Sequence, residues 1–274
     1  LWEMRNMSIT EEEMIERAEE YPEGADLPGD AGKANAPLVL TCGVDCQHTY
    51  LQYEIVGWGR FNESWGIKTG YIMGAPDDDD AWAQLDSIIS RVYRFKNGRG
   101  LRVSLTFVDS GDGNYTNEIA KRTRARQSMG VIAIKGDGKM GRPFITPPTK
   151  QAIDQSKSIT YWLYTLGVNA GKAAIMQSVA VKEAGANYMH TPAGEERGYD
   201  MKWYSGLLSE VEVTKGNVIK WEKIPGHERN EALDCRNYAR AAMKVLNPDF
   251  EAIAKALITE PKAKAKAAPK EPRK

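Results

Sequence analysis

Three aspartates in this chain stand where a carboxylate is costly. Asp45 ends the apolar run Leu38-Val39-Leu40-Thr41-Cys42-Gly43-Val44, and Asp109 ends a second run, Leu101 to Val108 (LRVSLTFV). Asp234 lies in a strongly helical stretch, Asn230 to Leu246 (NEALDCRNYARAAMKVL). A carboxylate that closes a buried strand is expensive to desolvate unless something compensates it. Three such acids, on two strands and one helix, suggest a shared compensator in the form of a divalent metal site. Hard oxygen ligands suit Mg2+ or Mn2+. Two ions held by converging carboxylates would activate a water and stabilise a leaving oxyanion, which is the chemistry of phosphodiester hydrolysis. Each acid also has a plainer reading, since a strand-end Asp often serves only as a turn former or cap. Glu231 lies three residues before Asp234 and projects to a similar side. It is a candidate fourth ligand, a partner of the ligands, or a first-turn acid serving the helix dipole.

The elements that must position these acids follow from the pattern. Leu38–Cys46, Leu51–Gly59 and Glu63–Met73 are strand-like, with connections short enough to require an antiparallel meander. An amphipathic helix is expected from Ala81 to about Phe95, capped by the aspartates Asp77 to Asp80. Leu101–Asp109, a helix from Tyr115 to Arg126 and the strand Val131–Lys135 form a strand-helix-strand succession, which implies parallel pairing. The expectation is therefore an α/β fold with a mixed sheet: an antiparallel three-strand meander, then parallel strands, flanked by helices. Residues 136–157 are rich in Gly, Pro and Lys and predict a surface loop. A strand over Ile159–Leu166, helices over Gly171–Val181 and Asp200–Ser209, and a hairpin over Glu210–Ile224 turning at Lys215-Gly216-Asn217 complete the reading.

Three organisational segments are expected: an acidic linker with a peripheral helix over 1–36, one domain over 37–250, and a disordered Ala/Lys/Pro tail over 251–274. Ser8 with Glu11 suggests a capping box for the first helix. Basic and acidic residues balance at 37 each, so no global field argues for nucleic acid. From Pro261 onward there are six Lys/Arg and one Glu, so the rest of the chain carries the compensating negative charge. Contact with phosphate would need local cations. Lys135, Lys139 and Arg142 flank the Gly-rich loop, and Lys121, Arg122, Arg124 and Arg126 form a basic patch; each is a candidate phosphate contact or simply a solvated charge. His227 is a candidate proton shuttle. Cys42, Cys46 and Cys235 have neither zinc nor disulfide-framework spacing, so buried reduced thiols are expected. No apolar run is long enough for a membrane span.

The runs GVDCQ, LQYEIVGWG and ESWGI, then FVDSG, AIKG and RNEALDCRNYARAA, resemble the lambda-type (GpA) terminase large subunit in its C-terminal nuclease domain. Arg229-Asn230-Glu231-Ala232-Leu233-Asp234-Cys235 is the most specific of these motifs. The resemblance implies a ribonuclease H-like fold and a metal-dependent endonuclease that cuts concatemeric double-stranded viral DNA during packaging in the host cell cytoplasm. It carries the three acids onto Asp45, Asp109 and Asp234; in the two-ion mechanism Asp45 would bridge both Mg2+ or Mn2+ ions. It also implies an ATPase domain, a small terminase subunit and a portal protein as partners. One departure is Asn169 in Gly167-Val168-Asn169-Ala170-Gly171-Lys172, where family members often carry Asp. No GxxxxGK[ST] loop occurs, so the nuclease domain alone is expected here. A resolvase- or transposase-like nuclease of the same superfamily, or a portal-docking module without enzymatic activity, are the competing readings.

Overall fold

The run that ends at Asp45 becomes the hub of the main sheet. In a computed structural model, which describes residues 3–4, 9–153, 158–215 and 218–259, this strand (β1, Val39–Cys46) is buried along its whole length. A central strand covered on both faces needs no polar alternation, which is why its sequence reads as continuous apolar residues. β2 (Tyr50–Trp58) and β3 (Ser64–Met73) follow as antiparallel neighbours. On the other side β4 (Val103–Asp109) pairs parallel to β1, and β5 (Val131–Asp137) pairs parallel to β4. The sheet is completed by β6 (Thr149–Ala152), β7 (Thr160–Gly167) and β8 (Met189–His190). Its order is β8-β3-β2-β1-β4-β5-β7-β6. The expected mixed sheet, meander first and parallel strands after, is the one found.

Helices cover both faces. α1 (Glu11–Glu16) precedes the sheet, and α2 (Asp79–Ser90) lays Trp82, Leu85 and Ile89 over Cys42 and Val44. Asp78 caps α2 through the Asp80 amide, as the aspartate run suggested. α3 (Thr116–Ala125) links β4 to β5, and α4 (Val168–Ala180) and α5 (Met201–Leu207) follow later strands. α6 (Glu231–Leu246) packs on the sheet face opposite α2, its Tyr238, Ala241 and Ala242 meeting Phe107 and Ile134. A hairpin of β9 (Glu210–Lys215) and β10 (Val218–Lys223) forms a separate small sheet with Glu3–Met4. All three cysteines are buried and free.

Four local expectations change. The segment before β1 is packed rather than a loose linker: Met14 and Leu27 are wholly buried, and Arg17 donates to the carbonyls of Val179 and Val181. The capping box on α1 is Thr10 with Glu13, and Ser8 lies outside the described residues. Residues 136–157 are not a plain loop, because β6 pairs with β7 and Ile145 bridges Leu166. Phe250–Ile258 forms a further helix, α7, capped by Asp249, so the segment read as a disordered tail from 251 begins as helix. Its residues from 260 onward lie outside the description, as do Gly216 and Asn217 of the expected turn and residues 154–157.

Candidate active site

A row of side chains on β1 fixes the site. Thr41, Gly43 and Asp45 point to one face by the two-residue period of a strand, and α6 lies on that face. Thr41 Oγ1 donates to the carbonyl of Ala239 at 2.7 Å. One step along, a Cβ added to Gly43 would meet the Cys235 carbonyl oxygen at 1.9 Å, so only glycine lets the helix backbone come this close. The next step brings Asp45 to the first turns of α6, where Asp234 and Glu231 sit. The pairing of Val44 with Val108 puts Asp109 level with Asp45 on the adjacent parallel strand. The three aspartates therefore meet at one end of the sheet.

Each acid is held by a different partner. Gln47 Nε2 donates to Asp45 Oδ2 at 2.5 Å. The Gly111 amide donates to Asp109 Oδ1 at 3.1 Å within the Ser110-Gly111 turn. Asn230 Nδ2 donates to Asp234 Oδ2 at 2.9 Å, and Lys172 Nζ lies 3.3 Å from Asp234 Oδ1. Glu231 accepts from the Tyr50 hydroxyl at 2.9 Å. Burial, reinforced by the charges of Asp234 and Asp109, pushes the Asp45 carboxyl well above the usual carboxylate range. Burial raises Asp109 to about 6, with the Gly111 amide opposing and Asp234 adding to the rise. Burial also raises Asp234, against the pull of Lys172. Next to that cluster, burial and then the bond to Glu231 hold the Tyr50 hydroxyl at about 12.

Sequence reasoning missed the buried ion pair of this network. Lys172, on α4, bonds both carboxylate oxygens of Glu210 at 2.8 Å, and Asn230 bonds Glu210 as well, at 2.7 Å. Both partners are nearly sealed, Lys172 at 6% and Glu210 at 5% exposure. Burial alone would lower the Lys172 pKa, but Asp234 and Glu210 outweigh it and the ammonium is held. A signal for Lys172 was present in the Gly167–Lys172 segment. Glu210, at the head of an alternating hairpin, offered none. Asn169, the departure from the family pattern, donates to the Gly138 carbonyl at 3.0 Å and so ties down the Gly-rich turn.

The other candidates divide. Lys135 and Lys139 are exposed near the end of β5, and Arg142 is paired with Asp137 at 2.7 Å. The α3 patch is largely neutralised: Arg122 pairs with Glu118 and Asp79, Arg126 with Asp86, and Lys121 with Glu118. His227 contacts Ser205 and faces Glu11, so the structure does not bring it to the aspartates.

Whether these residues suit Mg2+ or Mn2+ turns on their donor chemistry. Carboxylate oxygens from three elements, each pushed up by burial and two of them by another's charge, are the set that a hard cation would relieve. Among the described residues no three His, Cys, Asp or Glu side chains are drawn close enough to enclose an ion. The donors fit in kind, and their spacing is open.

A mixed sheet of this order, covered by helices on both faces, with acids at the ends of two parallel strands and on a crossing helix, defines an α/β domain with an acid-lined end. The chain belongs to the family described as terminase large subunit gpA, endonuclease domain, whose sequence model matches residues 1–255. It is 29% identical over 242 residues to the terminase large subunit of Escherichia phage lambda, covering 85% of this chain and 35% of the relative. It is 26% identical over 223 residues to the terminase large subunit of Enterobacteria phage P21, covering 76% of this chain and 32% of the relative. The chain thus spans about a third of the length of these relatives. Among solved structures, the large terminase nuclease from thermophilic phage G20c aligns over 81% of this chain and 85% of its own, at 12% identity and a TM-score of 0.39, too loose a likeness to argue from. Among the described residues, no helix is long and apolar enough to cross a membrane.

Proposed function

We propose that this domain is a metal-dependent endonuclease that cuts concatemeric double-stranded viral DNA during genome packaging in the host cell cytoplasm. It works there with an ATPase domain, a small terminase subunit and a portal protein. The observation that carries the reading is the meeting of Asp45, Asp109 and Asp234 from three separate elements, with the charge of Asp234 opposing ionisation of both strand acids. Isolated strand-end caps would not be coupled in this way. Family membership supports the same chemistry.

Asp45, Asp109 and Asp234 are the residues that would hold Mg2+ or Mn2+. When bound, such ions supply a water activated at neutral pH and positive charge for the transferring phosphate. The protein's own part is positioning. Gln47 fixes the rotamer of Asp45, the Gly111 amide fixes Asp109, and Lys172 with Asn230 holds Asp234 and Glu210 as one unit. Tyr50 restrains Glu231 beside them. Fixed carboxylates need little reorganisation when charge develops on the phosphate, which is where such sites gain rate.

The test is plasmid cleavage with Mg2+, Mn2+ or EDTA, alongside Asp45→Asn. Metal-dependent nicking and linearisation are expected, with loss of cleavage in the variant. Because burial and its acidic neighbours oppose ionisation of Asp45, Asp45→Asn should melt no lower than wild type in EDTA. A folded chain that cuts no substrate with either metal would sink the proposal. Wild-type cleavage by Asp45→Asn would remove Asp45 from it.

A further inference from the structure

Beside the three aspartates lies a cavity of about 280 Å³ lined by Gln52, Tyr71, Lys202, Gly206, Arg229 and Glu231. None of the three aspartates lines it, but its wall residue Gln52 pairs across the sheet with Asp45. Its cations differ from those of α3. Lys202 and Arg229 are exposed. Arg229 hydrogen-bonds the Tyr71 hydroxyl and feels the charge of Glu231, while no salt bridge to Lys202 is found among the described residues. Tyr71 is 46% exposed and meets the Tyr50 ring edge-on at 5.5 Å, while the Arg229 guanidinium lies 5.7 Å from the Tyr50 ring centre. Gln52 is only 2% exposed, and its side-chain oxygen has no hydrogen-bond partner. Two carboxylates border this end of the molecule: Glu231, which accepts from Tyr50, and Asp200, which caps α5.

We propose that this cavity seats a single nucleotide of the DNA strand next to the cleaved phosphodiester, with its phosphate on Lys202 and Arg229 and its base against Tyr71. The inference rests on the nuclease reading above and adds a substrate subsite to it. An exposed lysine beside an arginine that an aromatic hydroxyl already orients is a pair of groups that can hold phosphate. An aromatic face beside them takes a base of any identity. The orphan oxygen of Gln52 needs a donor, and an internal DNA backbone carries none, so the donor comes from a base edge. A space this small admits one nucleotide and not a duplex, so the strand enters with that base out of its stack.

The test is fluorescence anisotropy with a labelled single-stranded oligonucleotide in EDTA, where binding is read without cleavage. Tyr71→Ala should weaken binding about tenfold. Lys202→Ala should weaken it and lower the slope of log affinity against log salt by about one. Lys182→Ala, just beyond the end of α4, should stay within about twofold of wild type. Wild-type binding by both Tyr71→Ala and Lys202→Ala, an equal loss in Lys182→Ala, or no binding by wild type overturns the subsite. The two readings fail separately. Subsite-dependent binding by a chain that cuts nothing sinks only the nuclease, and metal-dependent cutting with unchanged variants sinks only the subsite.

Discussion

Gly43→Ala tests whether contact between β1 and α6 builds the site. The added methyl would sit 1.9 Å from the Cys235 carbonyl oxygen, 2.8 Å from the Ala239 nitrogen and 2.9 Å from the Cys235 carbonyl carbon. All three are backbone atoms, so no side chain can swing aside. Restoring ordinary contact, which begins near 3.4 Å, requires α6 to retreat by about 1.5 Å, an overpacking that costs roughly 1–3 kcal/mol or more. For a domain of this size that lowers Tm by about 3–10 °C. The same retreat moves Asp234 away from Asp45, and a displacement of about 1 Å in a catalytic constellation can cost about a hundredfold in rate. The assay pairs thermal melting with cleavage measured well below the variant's Tm. Gly113→Ala is the control, because its methyl would meet nothing within 4 Å. A Gly43→Ala protein that melts and cuts like wild type would show that α6 does not seat on β1 here, and the account of the site would fail with it.

Two further outcomes follow from the charges. Asp109 binds its proton more tightly when folded, because burial lifts its carboxyl from the ordinary aspartate range to about 6. Its contribution to stability is therefore fully present below the unfolded value and is lost as pH rises through about 6. The ceiling is about 3 kcal/mol. In EDTA, wild type should lose more stability than Asp109→Asn between pH 5 and pH 7.5, and Mn2+ should raise Tm more at pH 7.5 than at pH 5. Equal pH slopes for the two proteins would refute this. Lys172→Met leaves Glu210 and Asp234 buried without their cation, a loss of about 3–5 kcal/mol for a sealed pair. Its Tm deficit should be larger at pH 8 than at pH 5, where the stranded carboxyls can take up protons. A deficit independent of pH would mean that Lys172 matters only for packing.

How much was legible in advance differs from residue to residue. Asp45 and Asp109 could be found because a charge at the end of an apolar run contradicts its surroundings, and Asp234 because its helix had a clear apolar face. The meander was forced by connections too short for any crossover. The basic patch on α3 looked available because sequence displays a charge without its partner. Asp79 and Asp86, on α2, neutralise it only once the fold brings them within reach of the Arg122 and Arg126 side chains.

The sequence by itself determined which residues could do chemistry and which strands had to be neighbours, because hydrophobic period and connection length are local properties of the chain. Only the tertiary structure decided who compensates whom. Lys172 and Glu210 are 38 residues apart, and Tyr50 and Glu231 are 181 apart. Pairs at such separations are set by how α4, α6 and the hairpin close on the sheet. Desolvation then turns those meetings into shifted charges, and no local pattern records it.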